Sequence, residues 1–376
     1  MANLVSDGSI FKTDAHGWSG YLKNPRTGKR KYFYGKSRKI VKEKMNKYLE
    51  TYNLINEDVA KDSVEHFFDS WLDGLKLTIK PKTYDVKYYI VHSFIIPELS
   101  CISVGDITPS DIQALIDNVT NKGYSYSVVQ KVYNNLNQRF KLAVARRELP
   151  YNPVVGIHLP KLSKTSKEEI RFFSRSELDS ILTEAERETP DGTPVYRHGY
   201  AFRLLAYTGM RAGEALALTW DDIDFENKMI FVNKNIVTVQ DREKGGIKRI
   251  VQDSTKTASS TRIIPISSNA ELALKGLKNT QPEGCAYVIS TANKTPVYTK
   301  NLSRTFDRIQ TAAGIEEHGT LHSLRHTFAT RLLSVGEDVK VVSELLGHAN
   351  ITITYDTYIH VIDEQKLKAV QKIDEI

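Results

Sequence analysis

Apolar positions change their period near residue 60, and the change divides the chain. Across residues 9–36 they alternate with polar ones in three short runs, 9–13, 18–23 and 31–34, separated by turn residues at His16-Gly17 and Asn24-Pro25-Arg26-Thr27-Gly28. Alternation sends every second side chain to one face, so these runs predict a small three-stranded sheet. Ser37 then stands as a helix cap ahead of a basic segment reaching about Tyr52.

From about residue 63 to 156 the spacing is helical, in HFFDSWLDGL, residues 83–95, TPSDIQALIDNV and YSVVQKVYNNLNQRFKLAVARREL. Proline at 81, 97, 109, 150 and 153 punctuates these segments, which predicts an all-helical bundle. The stretch LPKLSKTSKEE, residues 159–169, is polar and lysine-rich and reads as a linker. Beyond it the pattern mixes helices at 176–188 and 196–207 with strands at 229–239, 248–250 and 262–266, then returns to helix. The expected fold class is therefore multidomain: a small α+β domain (three-stranded sheet plus helix) over 1–55, an all-α domain over 61–158, and a mixed, mainly-α domain with a small antiparallel sheet over 168–376.

Composition narrows the picture only in places. With 40% hydrophobic and 26% charged residues the chain has the means to bury a core throughout. No run of some eighteen apolar residues occurs, and MANLVSDGSIFK lacks the order of a secretory signal, so a cytoplasmic protein without a membrane partner is expected. Cys101 and Cys285 have no Cys or His neighbours at ligand spacing, and neither a disulfide framework nor a metal site is expected.

Charge is more telling. Residues 1–50 hold 12 Lys and Arg against 4 Asp and Glu, which leaves 40 against 41 for the remainder, so the net +7 resides at the N-terminus. Trp18, Tyr21, Lys23, Arg26, Lys29, Arg30, Lys31 and Tyr32 are the candidate contacts of a β-ribbon laid in a DNA groove. A solvated basic face over a tiny aromatic core is the plainer alternative.

Phosphodiester transfer without a metal needs cations around the non-bridging oxygens, a proton donor for the leaving oxygen and a nucleophile. Thr208-Gly209-Met210-Arg211-Ala212-Gly213-Glu214 places Arg211 at the mouth of a helix that Gly209 separates from the preceding one. His322-Ser323-Leu324-Arg325-His326 sets His322 and Arg325 one turn apart on one face. Leu345-Leu346-Gly347-His348 puts a histidine after a glycine-ended helix, and Tyr358 follows in Tyr355-Asp356-Thr357-Tyr358-Ile359-His360. Each piece alone has an ordinary reading as a surface ion pair or a solvated helix.

Taken in order, Arg, then His-x-x-Arg, then Gly-His, then Tyr, these motifs resemble the tyrosine recombinase, or phage integrase, family. The resemblance is specific over residues about 205–361; the N-terminal sheet and helix resemble the arm-type DNA-binding domain of lambda-like integrases, and the helical middle resembles their core-binding domain. It implies that Arg211 and Arg325 clamp the scissile phosphate, that His322 handles a proton at the nucleophile, that His348 bonds a phosphate oxygen and that Tyr358 is the nucleophile. Lys256, before a Ser/Thr-rich turn, matches the hairpin lysine that protonates the departing 5′ oxygen, with Lys244 and Lys248 as poorer matches. Glu214 is expected to orient Arg211. Tyr355 lies one turn from Tyr358, and only the family's Tyr-x-His pattern favours Tyr358.

The resemblance further implies DNA integration and excision of a mobile element or viral genome through a 3′-phosphotyrosyl bond, without cofactor, metal or ATP. Its partners would be double-stranded DNA at core and arm sites, three further copies in a homotetramer, and a host bending protein and excision factor, in a nucleoid-associated setting of a bacterial host. The stretch 363–376, with Leu367, Val370 and Ile373 a turn apart, would dock on its own domain or on a neighbouring copy. A type IB topoisomerase-like enzyme shares this chemistry but pairs no sites, and a non-catalytic DNA-binding regulator would not need Arg211, His322, Arg325, His348 and Tyr358 together.

Overall fold

The alternating N-terminal segment forms an antiparallel meander in the computed structural model, which describes residues 10–13, 17–23, 30–53, 59, 61–160, 170–253 and 261–359. Strands β1 (Ile10–Thr13), β2 (Gly17–Lys23) and β3 (Arg30–Gly35) pair in that order. The hydroxyl of Ser37 accepts the Ile40 N–H at 3.3 Å as α1 (Arg38–Asn53) begins. This helix buries Val41 and Met45 against Ile10 and Leu22, with Trp18, Phe33 and Tyr48 around the margin. Gly20 permits the approach, since a Cβ there would lie 2.7 Å from Met45 Sδ.

The register sorts the proposed groove contacts by face. Trp18 packs toward the helix, and Lys31, paired with Leu22, lies over the Tyr48 ring at 4.3 Å on the same side. Both therefore lie on the helix-facing side of the sheet, Lys31 still exposed. Tyr21 and Tyr32 pair across the opposite face with centroids 5.7 Å apart, and Arg30 covers Tyr21 at 4.5 Å. Lys23 pairs with Arg30. Arg26 and Lys29 lie outside the described residues.

The helical segment comprises α2 (Val64–Leu75), α3 (Pro81–Ile90), α4 (Pro109–Asn121) and α5 (Tyr126–Ala145). Thr108 and Asp111 form a capping box at α4. The core centres on Phe67, Phe68, Leu72, Ile95, Leu136 and Phe140, each such side chain contributing about 1.5–3 kcal/mol by leaving water. Pro97 does not end a helix as expected. The chain instead widens into a π-helical turn at Val91–Ile95, where Ile96 N–H bonds Val91 O, and continues as Ile96–Leu99, so the proline lies directly after the widened turn within a continuous helical run.

Residues 1–165 and 166–376 form separate compact units. In the second, α6 (Arg175–Ala185) and α7 (Gly199–Thr208) precede the short α8 (Ala212–Ala217). The helices end three residues before, and begin three residues after, the bounds 176–188 and 196–207 expected at those places, because Glu188 and Pro194 bridge in a tight connection. Strands β4 (Ile223–Asp224), β5 (Met229–Val232) and β8 (Arg262–Pro265) make one sheet, and β6 (Lys234–Gln240) with β7 (Ile247–Asp253) makes a separate hairpin. The single strand expected over 229–239 is therefore broken at Asn233. There Asp222 accepts from Asn233 Nδ2 at 3.3 Å and from Lys234 Nζ at 2.9 Å, holding the corner where the chain changes ladder.

Then follow α9 (Ser268–Thr280), α10 (Thr299–Ala312), α11 (Leu321–Ser334), α12 (Val339–Leu346) and a helix α13 at 351–359. The large core holds Phe202 stacked on Phe306 at 5.1 Å and Phe173 edge-on to Phe306 at 5.9 Å. A smaller cluster, Ala329, Leu333, Val342, Leu346 and Tyr358, joins the last three helices. Among the described residues no helix is long and apolar enough to cross a membrane. Residues 363–376 lie outside the described residues.

Candidate active site

The site is assembled where three backbone terminations meet. Gly209 closes α7 in the left-handed conformation, φ 63°, and a Cβ there would sit 2.5 Å from the Phe328 ring. The reversal leaves Arg211 extended at the N-cap of α8. One turn on, the buried Glu214 accepts the Arg211 backbone N–H at 2.9 Å and its Nη1 at 2.8 Å. Arg211 also donates Nη2 to Gly347 O at 3.3 Å, where α12 ends in a second left-handed glycine, φ 67°.

Two further guanidinium groups converge here. Arg325, 2% exposed, donates Nη1 to Gly209 O at 2.8 Å and so ties α11 to the end of α7. Arg262, at the start of β8, donates Nη2 to Glu214 at 2.8 Å and Nε to Leu345 O at 2.6 Å. Arg325 Nη2 and Arg262 Nη1 are buried without a hydrogen-bond partner among the described residues. A buried unpaired donor costs roughly 1–3 kcal/mol, more when charged. Three arginines around one carboxylate, with two buried donors still to be used, suit an acceptor-only anion.

The same charges set the protonation of the neighbours. Burial alone would raise the Glu214 carboxyl, but the Arg262 hydrogen bond and charge, with Arg211, hold it below the ordinary carboxylate value. Burial first, then the charge of Arg211, lowers Arg325. His348 is brought down to about 4 by burial and then by Arg325 and Arg211; its Nδ1 bonds Thr354 Oγ1 at 2.7 Å. His322 is lowered by partial burial, Arg325 and Arg211. At neutral pH both imidazoles are uncharged, and the positive charge of the site rests on the guanidinium groups.

Tyr358 is 1% exposed, and its Oη lies 2.8 Å from His326 Nδ1. Burial pushes the phenol up to about 12, against an opposing pull from Arg325. Tyr355, one turn away, is 37% exposed. Among the histidines of α11 it is thus His326 that meets Tyr358, while His322 stacks edge-on against the His326 ring at 4.6 Å. Lys256 lies outside the described residues; β7 ends three residues before it and β8 begins six after it.

Arg211, Glu214, Arg325 and His348 are therefore brought to one place, with His322 on its rim. Arg262 and His326 escaped the sequence reading as site residues. His326 carried a usable signal, since it stands four residues after His322 on the same helical face. Arg262 looked like a strand residue, and nothing local announced that its side chain would be turned inward.

Comparison with known proteins places the chain in context. The profile of the phage integrase family matches residues 171–365, and that of the phage integrase N-terminal SAM-like domain matches residues 63–119. The chain is 32% identical to a XerC-like tyrosine recombinase of Caldanaerobacter subterraneus subsp. tengcongensis, covering 92% of each sequence. It is 25% identical to the integrase of Staphylococcus phage L54a, covering 89% of this chain and 98% of that one. In structure it is similar to the Tn1549 transposon integrase in complex with circular intermediate DNA, with a TM-score of 0.66 at 22% identity over 79% of this chain and 94% of the other. It is also similar to a lambda integrase tetramer bound to a Holliday junction, with a TM-score of 0.58 at 20% identity over 95% and 96%.

Proposed function

The chain belongs to the phage integrase family of tyrosine recombinases, and from that premise we propose that it is a site-specific DNA recombinase that integrates and excises a mobile element through Tyr358. The observation that carries this reading is the pair of buried guanidinium N–H groups, of Arg325 and Arg262, without a partner among the described residues, with the buried Tyr358 near enough to feel the Arg325 charge. A phosphodiester oxygen supplies the acceptors those donors lack, and charge grows on such oxygens as a fifth bond forms to phosphorus. Arg211, Arg325 and His348 hold the phosphate. Tyr358 Oη attacks phosphorus and displaces the 5′ oxygen, leaving a 3′-phosphotyrosyl bond whose energy is kept for rejoining. Sequencing the junctions formed on the element's own ends tests the reading; absence of defined junctions would count against it.

Lys256 protonates the leaving 5′ oxygen in this scheme. Lys256→Ala is expected to slow cleavage of normal DNA by about 100-fold or more, yet to cleave DNA with sulfur at the 5′ bridging position well, because a thiolate leaves without a proton. Lack of sulfur rescue would take that duty from Lys256.

The domain reading is an arm-site binder over 1–55, a core-site binder over 61–158 and the catalytic domain over 168–376, acting as a homotetramer with a host bending protein and an excision factor. Tyr21, Arg30 and Tyr32, which the register sets on one face, support an arm-site contact surface there. Removal of residues 1–55 is expected to leave core-site cleavage intact while weakening binding to a full attachment site and flattening its salt dependence, since each lost phosphate contact reduces counterion release. Affinities of both forms across a salt series, on long and core-only DNA, check this. Equal slopes on both DNAs would make the basic segment a solvated face.

A further inference from the structure

We propose that His326 is a catalytic residue of the strand-cleavage step, taking the phenolic proton of Tyr358 on its Nδ1. The inference rests on Tyr358 being the nucleophile and adds a residue that the family motif does not assign. Its ground is geometric: His326 Nδ1 is 2.8 Å from the oxygen that must attack, within the distance at which a general base works. Of the two partners the phenol carries the more acidic hydrogen, so Tyr358 donates and the ring nitrogen accepts. The rings meet at 5.7 Å between centroids and 60°, with His322 edge-on behind the acceptor.

Among the described residues, the titratable groups facing His326 are His322 and Arg325 on its own helix and Tyr358 on α13. Burial, then His322 and Arg325, brings the imidazole down to about 4, so it is an uncharged acceptor across the neutral range. In the free protein the proton rests on the tyrosine, whose own burial favours the neutral phenol. A phosphate seated on Arg211 and Arg325 offsets the charges that disfavour an imidazolium, so that proton transfer becomes accessible only with DNA in place. As Tyr358 Oη bonds to phosphorus, its O–H bond breaks and an N–H bond forms on His326. The P–O5′ bond breaks, its electron pair leaving with the oxygen, which takes a separate proton. In the rejoining step the imidazolium returns its proton to Tyr358.

The test measures covalent adduct formation by the full chain on DNA with sulfur at the 5′ bridging position, so that the phenolic proton is the only one in transit. With His326→Gln, which keeps a hydrogen-bond acceptor but no basicity, the neutral-pH rate is expected to fall by about 100-fold or more. It should then rise about tenfold per pH unit as hydroxide replaces the lost base, whereas the unaltered protein stays flat over the same range. His326→Ala should regain adduct formation with added imidazole in proportion to its free-base form, which a packing defect would not. A His326→Gln protein with unaltered rate and pH profile would overturn the proposal. So would a His322→Gln protein that alone acquired the hydroxide dependence. Adduct formation by Tyr358→Phe would instead remove the nucleophile reading on which the proposal rests.

Discussion

Tyr358→Phe is expected to abolish the covalent protein–DNA adduct on a nicked core site altogether, and Tyr355→Phe to retain it. The two tyrosines are three residues apart on α13, yet only Tyr358 turns into the Leu333, Val342 and Leu346 cluster, with its hydroxyl on His326. Loss of that one hydrogen bond costs about 0.5–1.5 kcal/mol, too little to unfold the domain, so the variant should still bind core DNA. A denaturing gel with labelled DNA, alongside a melting curve, separates lost chemistry from lost fold. An adduct from Tyr358→Phe and none from Tyr355→Phe would move the nucleophile to Tyr355 and make the buried tyrosine a packing residue.

The largest expected effect on stability belongs to Glu214→Ala. Glu214 is the acceptor for both Arg262 and Arg211, and Arg262 is itself buried, so truncation leaves a guanidinium inside the protein without its counter-charge. Breaking a buried pair from one side costs about 3–5 kcal/mol, which for a unit of this size lowers the melting temperature by about 6–20 °C. The pH dependence follows from the lowered Glu214 carboxyl. A depressed folded value contributes stability that is fully present above the unfolded value near ~4.3 and lost as pH falls through the folded value. Glu214→Gln should lack that acid-side contribution. A Glu214→Ala protein melting with the unaltered one at neutral pH would show that Arg262 finds another partner.

Much of this was legible in the chain because it depends on local spacing. The alternation in the first 36 residues, the helical period from residue 63, and the positions of Gly209 and Gly347 are statements about neighbours a few residues apart, and backbone geometry converts them directly into strands, helices and reversals. The ordered set Arg211, His322, Arg325, His348 and Tyr358 could be picked out as candidates for a different reason: their types and order match the pattern of the family the chain resembles, and that order survives whatever the loops between them do.

Contacts between distant segments were decided only by the tertiary structure. Arg262 meets Glu214 and Leu345 across 48 and 83 residues, and no periodicity in strand β8 says which way its first side chain turns. The break at Asn233 depends on which partner strand each half finds, and the passage through Pro97 on a wider turn that neighbouring packing supports. The difference in burial between Tyr355 and Tyr358 is of the same kind. Helical spacing places both near one face, and burial against α11 and α12, with His326 waiting there, separates them. The sequence alone thus determined most of the elements and the candidate groups that match the family pattern; only the tertiary structure decided where the strand breaks and which groups touch, because packing brings together residues that no local pattern couples.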